Sequence, residues 1–185
     1  MVRQYVEKPN VRFIRLNSKN TIKDFTCGDP DLDDFIRNRA SEFQKHLLSV
    51  SYACADADTG KMLAYCSLAN DKVAVGDFKD KTEFNRFRKK QGFPNEKRLK
   101  SYPAVKLCRL GVDESAKGRQ IGTTVLDYIK SMFVFEYKTG CRFLTVDAYL
   151  KAVPFYEKNG FRFMNIEDDD PHPRLMYFDL MDLVA

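Results

Sequence analysis

The chain has 185 residues, of which 44% are hydrophobic and 31% are charged, and its formal net charge is +5. This length and hydrophobic content are enough for one folded domain with its own core, and they exclude a disordered or low-complexity protein. We expect a single domain over residues 1–185 in the cytoplasm, since no apolar run could span a membrane and the N-terminus lacks the apolar core of a signal peptide.

The hydrophobic periodicity predicts a strand, a helix, three strands, a helix, a strand, a short helix and two strands. The first helix has a clear start, because Asp29 can cap it and Pro30 suits its first position. Residues 58–60 are typical of a hairpin turn, and Gly160 ends the short helix. The predicted strands are 11–16, 49–57, 61–75, 104–112, 143–148, 161–166 and 174–180, and the predicted helices are 30–47, 117–137 and 151–159. This order indicates a mixed α/β sheet with crossover helices.

The cysteine and histidine content argues against metal and disulfide chemistry. There are five cysteines, none in a C-x-x-C pair, and two histidines. A zinc site or a secreted disulfide framework needs paired spacings, and a Ser-His-Asp or Cys-His hydrolase needs a histidine base. Neither His46 nor His172 stands in such a setting, so we predict no metal site and no hydrolase of these types.

Residues 81–100 carry the positive excess of the chain, with eight basic and two acidic side chains. Two interpretations stay open for this basic insert at about 77–101. On the first, its cations bind nucleic-acid phosphates while Phe87 and Phe93 stack on bases. On the second, it is a solvated surface whose phenylalanines, Phe84 included, pack inwards. The candidate phosphate contacts are Arg86, Arg88, Lys89, Lys90 and Lys97.

A strand, a short glycine-bearing loop and a helix follow one another between residues 107 and 124. The first N–H groups of such a helix lack backbone partners, and together with the helix dipole they suit a phosphate or pyrophosphate. Gly118 and Gly122 permit close backbone approach, while Lys117 and Arg119 add positive charge. The segment is neither a P-loop nor a dinucleotide fingerprint.

Two segments together resemble the GCN5-related N-acetyltransferase (GNAT) family. The run K-G-R-Q-I-G at 117–122 is similar to the family's pyrophosphate loop, Q/R-x-x-G-x-G/A. Lys117 and Gln120 replace the family's leading Gln/Arg and first glycine, and Tyr149 stands where many members have asparagine. The family's pattern A-x-x-F-Y-x-x-x-G-F is matched by Ala152, Phe155, Tyr156, Gly160 and Phe161.

The resemblance implies a mixed, mostly antiparallel sheet of six to seven strands with helices on both faces. It also implies acetyl transfer from acetyl-CoA to a primary amine by direct attack, with Tyr156 as the general acid that protonates the departing thiolate. No general base is marked by spacing, so Asp147, Glu157 and a bound water stay open. The residues assigned to acetyl-CoA by the resemblance are Leu110, Gly111, Val112, Lys117, Gly118, Arg119, Gln120, Ile121, Gly122 and Thr123.

A narrower likeness concerns the acetyltransferase toxins of bacterial toxin–antitoxin pairs, which acetylate the amino group of aminoacyl-tRNA. It rests on F-T-C-G at 25–28, L-D-D-F-I-R-N-R at 32–39, Y-P at 102–103 and R-L-G-V-D at 109–113. The acceptor stays open among a small molecule, a peptide and aminoacyl-tRNA. An α-amino group is slightly favoured, because its pKa of about 8 leaves it far more neutral than a lysine with a pKa of about 10.4.

The likeness is compatible with a homodimer and with an antitoxin partner. A non-catalytic domain that senses acyl-CoA or binds nucleic acid is the remaining alternative. Turnover of acetyl-CoA separates that class from an enzyme, and the intact tyrosine motif around Tyr156 favours the enzyme.

Overall fold

The structure, a computed structural model, describes residues 9–17, 20, 22, 24–93, 99–136, 139–165 and 173–184. The strands are β1 (Val11–Arg15), β2 (Val50–Asp56), β3 (Met62–Ala74), β4 (Ser101–Val112), β5 (Phe143–Ala148), β6 (Arg162–Phe163) and β7 (Arg174–Asp179). The α-helices are α1 (Pro30–Asp34), α2 (Ala40–Lys45), α3 (Lys81–Lys90), α4 (Ile121–Ser131) and α5 (Val153–Lys158). Short π-helices, Phe35–Arg39 and Met132–Glu136, join α1 to α2 and extend α4.

The seven strands form one mixed sheet in the order β1-β2-β3-β4-β5-β7-β6. Strands β4 and β5 are parallel, with Lys106 opposite Thr145. The pairs β1–β2, β2–β3, β5–β7 and β6–β7 are antiparallel. The expected mostly antiparallel α+β fold is therefore confirmed. Within the described part of the chain, no helix has the length and apolar character needed to cross a membrane.

The chain divides into two compact units, of which unit 1 comprises residues 1–68 and 109–128. Its first helix starts as predicted: Pro30 is at the first turn, and the Asp29 side chain accepts hydrogen bonds from the N–H groups of Asp31 and Leu32. The tight turn before Lys61 joins β2 to β3, as the hairpin signal predicted. One buried hydrophobic cluster of unit 1 consists of Leu16, Phe25, Phe35, Ile36, Ala40, Ala53 and Tyr65.

Unit 2 comprises residues 69–108 and 129–185, and its core is rich in aromatic rings. Helix α3, which lies in the basic insert, was not among the predicted helices. The Asp80 carboxylate caps it by accepting from the N–H groups of Thr82 and Glu83. The core cluster consists of Val73, Phe78, Phe84, Tyr102, Ala104, Phe143, Met164 and Tyr177.

Several predicted boundaries were wrong. Helix α4 begins at Ile121 rather than 117, because Gly118 and Gln120 have positive φ angles that an α-helix does not accept. Tyr137, the last residue of the same prediction, lies outside the described residues. Strand β6 covers only Arg162–Phe163 of the predicted 161–166, and Ile166 lies outside the described residues.

Candidate functional site

The loop that follows β4 in unit 1 is anchored by Asp113. Its N–H donates to the carbonyl oxygen of Leu63 at 2.8 Å, and its carboxylate accepts from the N–H groups of Ser115 at 3.0 Å and Thr26 at 3.2 Å. Burial acts to raise the pKa of Asp113, but the hydrogen bonds from Ser115 and Thr26 outweigh it, so this pKa lies below its usual value. A charged Asp113 therefore holds the start of the loop in place.

Two residues of the loop have left-handed backbone conformations. Gly118 has a φ of +78° and Gln120 a φ of +58°. A Cβ added at Gly118 would meet nothing within 4 Å. Glycine is therefore favoured there by the left-handed backbone conformation and not by close packing. Gln120 keeps the left-handed conformation in spite of its side chain, at a cost of about 1–2 kcal/mol. This is the position at which the GNAT pattern has its first glycine.

The N-terminus of α4 has the features of an anion site. The Thr124 N–H donates to the Gln120 oxygen at 3.0 Å, so the N–H groups just before Thr124 have no partner within the helix. Two cations, Lys117 and Arg119, lie exposed in the turn immediately before. N–H groups without a partner in the helix, the positive end of an eleven-residue helix and two cations together suit a pyrophosphate.

The other residues assigned to the cofactor differ in exposure. Ile121 and Gly122 are buried, whereas Leu110, Val112 and Thr123 are partly exposed. Packing explains why position 111 is a glycine, because a Cβ there would lie 2.7 Å from the Tyr65 ring and 3.3 Å from the Phe25 ring. A direct role of Gly111 in cofactor binding therefore stays a prediction.

The candidate general acid, Tyr156, lies in α5 of unit 2. Its side chain is buried, and its ring centroid lies 5.2 Å from the centroids of both Phe155 and Phe161. Burial raises the pKa of Tyr156 to about 12. The phenol therefore keeps its proton at neutral pH, which is the state that a general acid needs.

Neither candidate base side chain stands out by its environment. Asp147 forms an ion pair with Lys106, whose Nζ lies 2.5 Å from the Asp147 Oδ2. Burial acts to lower the pKa of Lys106, but the hydrogen bond to Asp147 and the negative charges of Asp147 and Asp71 together outweigh it, so the pKa is raised. Glu157 is exposed on α5. The base therefore stays open, as it was from the sequence.

Two segments of the narrower likeness, 25–28 and 32–39, are joined in unit 1 by a carboxylate that the sequence did not single out. Asp33 is buried, and it accepts hydrogen bonds from the Thr26 hydroxyl at 2.8 Å and the Cys27 N–H at 2.9 Å. Burial acts to raise the pKa of Asp33, but these hydrogen bonds outweigh it and the pKa is lowered. The Arg37 guanidinium bonds to the Phe25 oxygen. These residues shape the turn at 25–28.

The contacts of the aromatic rings in the basic insert favour the second interpretation, in which the phenylalanines pack inwards. Phe84 is buried, Phe87 packs against the core cluster of unit 2, and Phe93 stacks on Tyr102 with 3.9 Å between ring centroids. These rings are therefore engaged and do not offer free faces to nucleic-acid bases.

The cations of the insert divide into two groups. Arg88 bonds to the Asn85 side chain at 2.9 Å and lies over the Phe84 ring, whereas Arg86, Lys89 and Lys90 are exposed. Lys97 lies outside the described residues. Of the candidate phosphate contacts, Arg86, Lys89 and Lys90 are therefore the exposed ones in α3, and Lys81 at the start of the helix is exposed as well.

Comparisons with known proteins bear on this site. Residues 95–172 match the family model of the acetyltransferase (GNAT) domain. A tRNA-acetylating toxin of Mycobacterium tuberculosis (strain ATCC 25618 / H37Rv) is 28% identical over 174 residues, which are 92% of this chain and 95% of the toxin.

Two solved structures share the fold. AtaT complexed with acetyl-methionyl-tRNAfMet has a TM-score of 0.73 at 19% identity, with 94% of this chain and 97% of that chain covered. A mutant of the AtaT toxin bound to the C-terminus of the antitoxin AtaR and acetyl-CoA has a TM-score of 0.68 at 18% identity, with 94% and 96% covered.

The family match includes both segments on which the resemblance rests, at 117–122 and 152–161. The seven-stranded, mostly antiparallel sheet agrees with it. On this evidence, residues 95–172 of the chain are an acetyltransferase (GNAT) domain, as the resemblance predicted.

Proposed function

We propose that this chain acetylates the α-amino group of an aminoacyl-tRNA with acetyl-CoA. The observation that carries the proposal is the 28% identity to a tRNA-acetylating toxin over 92% of the chain. That similarity extends well beyond residues 95–172, which the GNAT model matches. It therefore reaches into the N-terminal part, where the turn at 25–28 lies.

The start of α4 fits the pyrophosphate of acetyl-CoA. The N–H groups of its first turn would bind the phosphate oxygens, and Lys117 and Arg119 would add charge. The left-handed conformations of Gly118 and Gln120 support this role, since they form the exposed turn that leads into the first turn of α4. When bound, acetyl-CoA supplies an activated acetyl group as a thioester.

Tyr156 would act as the proton donor of the reaction. Its proton passes to the CoA sulfur as the bond between carbonyl carbon and sulfur breaks, and the amine's surplus proton leaves to solvent. A pKa of about 12 keeps the phenol protonated until that moment. An α-amino group has an unperturbed pKa of about 7.7–8.0, so much of it is neutral at cytoplasmic pH and needs little help from a base.

The exposed cations of α3 support an acceptor that carries phosphates. Arg86, Lys89 and Lys90 lie along the outer part of one helix, where they would neutralise the tRNA backbone. An antitoxin partner and a homodimer are part of this proposal, as is a cytoplasmic location, where charged tRNA is found.

Transfer of labelled acetyl groups tests the proposal directly. The protein is incubated with acetyl-CoA labelled in the acetyl group and with charged tRNA, uncharged tRNA, a free amino acid or a peptide. We expect label on charged tRNA only, released as an N-acetyl amino acid after mild alkaline hydrolysis. Label on the free amino acid or peptide would assign another acceptor. Binding of acetyl-CoA without CoA release from any mixture would contradict catalysis.

A further inference from the structure

A lysine ammonium is buried beside the helix that carries Tyr156. Lys130, near the end of α4, is only 6% exposed, and its Nζ donates a hydrogen bond of 2.7 Å to the main-chain oxygen of Asn159. The same Nζ lies 3.9 Å from the ring centroid of Phe178 and 5.7 Å from that of Phe161. Lysine is rarely buried to this degree, because its charge loses hydration that specific contacts must replace.

Asn159 is the residue at which α5 ends. Its N–H bonds back to the oxygens of Phe155 at 3.2 Å and Tyr156 at 3.0 Å, and its side-chain amide donates to the Phe155 oxygen at 2.7 Å. Gly160 follows with a φ of +84°, which turns the chain away from the helix. The main-chain oxygen of Asn159 accepts the hydrogen bond from Lys130. This oxygen lies at the C-terminal, negative end of α5, where a cation is favourable.

Phe161 connects this turn to the Tyr156 ring. Its N–H donates to the Tyr156 oxygen at 3.0 Å, and its ring meets the Tyr156 ring edge to face, with 5.2 Å between centroids. The Phe161 and Phe178 rings are 5.8 Å apart, and the Lys130 ammonium attracts both of their faces. Lys130 therefore contacts the turn and the ring that together border Tyr156.

We infer that Lys130 is a positioning residue for acetyl transfer: by holding the Asn159 turn and the Phe161 ring, it fixes the direction of the Tyr156 hydroxyl. The inference rests on the proposed general-acid role of Tyr156. It requires no contact of Lys130 with acetyl-CoA or the acceptor. A misplacement of about 1 Å in a reacting group can reduce the rate about 100-fold, so a fixed hydroxyl matters for kcat.

The position of Tyr156 can be followed without any activity. Lys130→Met removes the charge and the donor but keeps an unbranched side chain. In protein with ¹³C at tyrosine Cζ, the Tyr156 resonance is the one that disappears in Tyr156→Phe. We expect it to shift or broaden in Lys130→Met and to stay unchanged in Lys158→Met, which removes an exposed cation from α5. An unchanged Tyr156 resonance in folded Lys130→Met overturns the inference.

Kinetics provide the second readout. With the acceptor in excess, we expect Lys130→Met to lower kcat about 10- to 100-fold while the KM for acetyl-CoA stays within about twofold. Lys130→Arg, which keeps a charged donor, should restore most of kcat. An unchanged kcat, or a parallel rise in KM, contradicts a positioning role. If the wild-type protein transfers no acetyl group, the proposed function fails, whereas the resonance of Tyr156 still decides whether Lys130 positions it.

A second variant covers the case in which Lys130→Met does not fold. Phe178→Leu removes the aromatic face nearest to Nζ and leaves the hydrogen bond to Asn159 in place. We expect the Tyr156 resonance to move in the same direction and kcat to fall by a smaller factor. An unmoved resonance in this variant also overturns the inference.

Discussion

Arg142 and Asp179 form a two-point ion pair, with Nε 2.7 Å from Oδ1 and Nη2 2.9 Å from Oδ2. Asp179, the last residue of β7, is only 3% exposed. The same Nη2 donates to the main-chain oxygen of Gln91 at 3.1 Å, directly after α3. The Arg142 guanidinium therefore links the residue that follows α3 to the last residue of β7, both in unit 2.

Loss of this guanidinium should destabilise the fold. We expect Arg142→Met to lower the free energy of unfolding by about 3–5 kcal/mol, because the Asp179 carboxylate is left buried without its partner. Arg162→Met is the control, since its pair with Asp182 is exposed on both sides and contributes about 0–1 kcal/mol. Urea unfolding measures both variants, and equal losses would refute the expectation.

Acetyl-CoA should stabilise the protein against heat. A ligand present at about 100 times its Kd adds about 2.7 kcal/mol, which raises Tm by about 5–10 °C for a chain of this length. Gly122→Glu places bulk and negative charge at the start of α4 and should abolish the shift, and the surface variant Lys117→Glu should reduce it.

Gly76→Glu serves as the matched control for this test. A side chain at Gly76 would meet nothing within 4 Å, so the same substitution should leave the shift intact there. If acetyl-CoA raised the Tm of both Gly122→Glu and Lys117→Glu as much as that of the wild type, the N-terminus of α4 would not be part of the cofactor site.

The Tyr156 hydroxyl should be required for turnover but not for folding. Tyr156→Phe removes one oxygen, so we expect kcat to fall about 100-fold or more while the KM for acetyl-CoA changes little. The variant should also unfold at nearly the same urea concentration as the wild type. Steady-state rates of CoA release measure the effect. A wild-type kcat in Tyr156→Phe would mean that Tyr156 contributes to packing and not to proton transfer.

As the proposed general acid, Tyr156 should also govern the alkaline side of the pH profile. Because burial raises the pKa of Tyr156 to about 12, the general acid stays protonated through pH 10. The rate should rise with deprotonation of the amine near its pKa of about 8 and then stay level to about pH 10. A decline between pH 8 and 10 that is absent in Tyr156→Phe would contradict this.

Asp33 should stabilise unit 1 at neutral pH and lose this effect in acid. Its folded-state pKa is lowered below 3.8, so its contribution is present above that pH and disappears as the pH falls through the folded value. Asp33→Asn should cost about 1–3 kcal/mol at pH 7, since the amide leaves a donor at Thr26 or Cys27 without an acceptor.

Unfolding of Asp33→Asn and wild type across pH 2–7 checks this. The difference in stability should close at the acid end, and the exposed control Asp24→Asn should show no difference at any pH. A constant difference down to pH 2 would show that the charge of Asp33 is not the cause.

The exposed cations of α3 should control binding of tRNA but not the chemistry. We expect the triple variant Arg86→Gln, Lys89→Gln and Lys90→Gln to bind aminoacyl-tRNA more weakly, with the slope of log K against log salt reduced by about 2–3. The kcat for acetyl transfer at saturating aminoacyl-tRNA should stay unchanged, because phosphate contacts position the substrate and do not perform the chemistry. Arg88 is left in place because it packs over Phe84.

A control triple variant removes exposed lysines elsewhere, at Lys45, Lys72 and Lys158. It should retain tRNA affinity and salt slope. If both triple variants lose affinity equally, the effect is one of total charge and α3 is not the interface.

Local signals in the sequence predicted much of the fold. Asp29 and Pro30 start α1, and Gly160 ends α5 with its left-handed φ, because each acts within a few residues of itself. The α3 helix was not predicted, because only Phe84 and Phe87 recur at helical spacing among its charged and polar residues. Asp80 followed by Glu83 was the available signal, and the two do meet at the helix start, where the Lys79 N–H also bonds to the Glu83 carboxylate.

Contacts between distant residues could not be predicted in this way. Thr26 and Asp113 are hydrogen-bonded although they are separated by 87 positions, and no local pattern encodes such a pair. The burial of Lys130 is a similar case, because its helix periodicity alone does not reveal which groups would replace its hydration. The tyrosine motif was found from the family pattern, whereas the loop was indicated first by its glycines between a strand and a helix and then matched the family pattern.

The left-handed conformation of Gln120 has a consequence for how such proteins are found. The loop keeps its backbone shape with a glutamine where a consensus pattern demands glycine. A sequence pattern that requires glycine at position 120 therefore misses chains of this type, whereas a search by backbone torsion angles finds them. Diversity at this position in acetyltransferase collections is thus expected to be wider than glycine-based signatures suggest, with asparagine and aspartate tolerated and valine and isoleucine excluded.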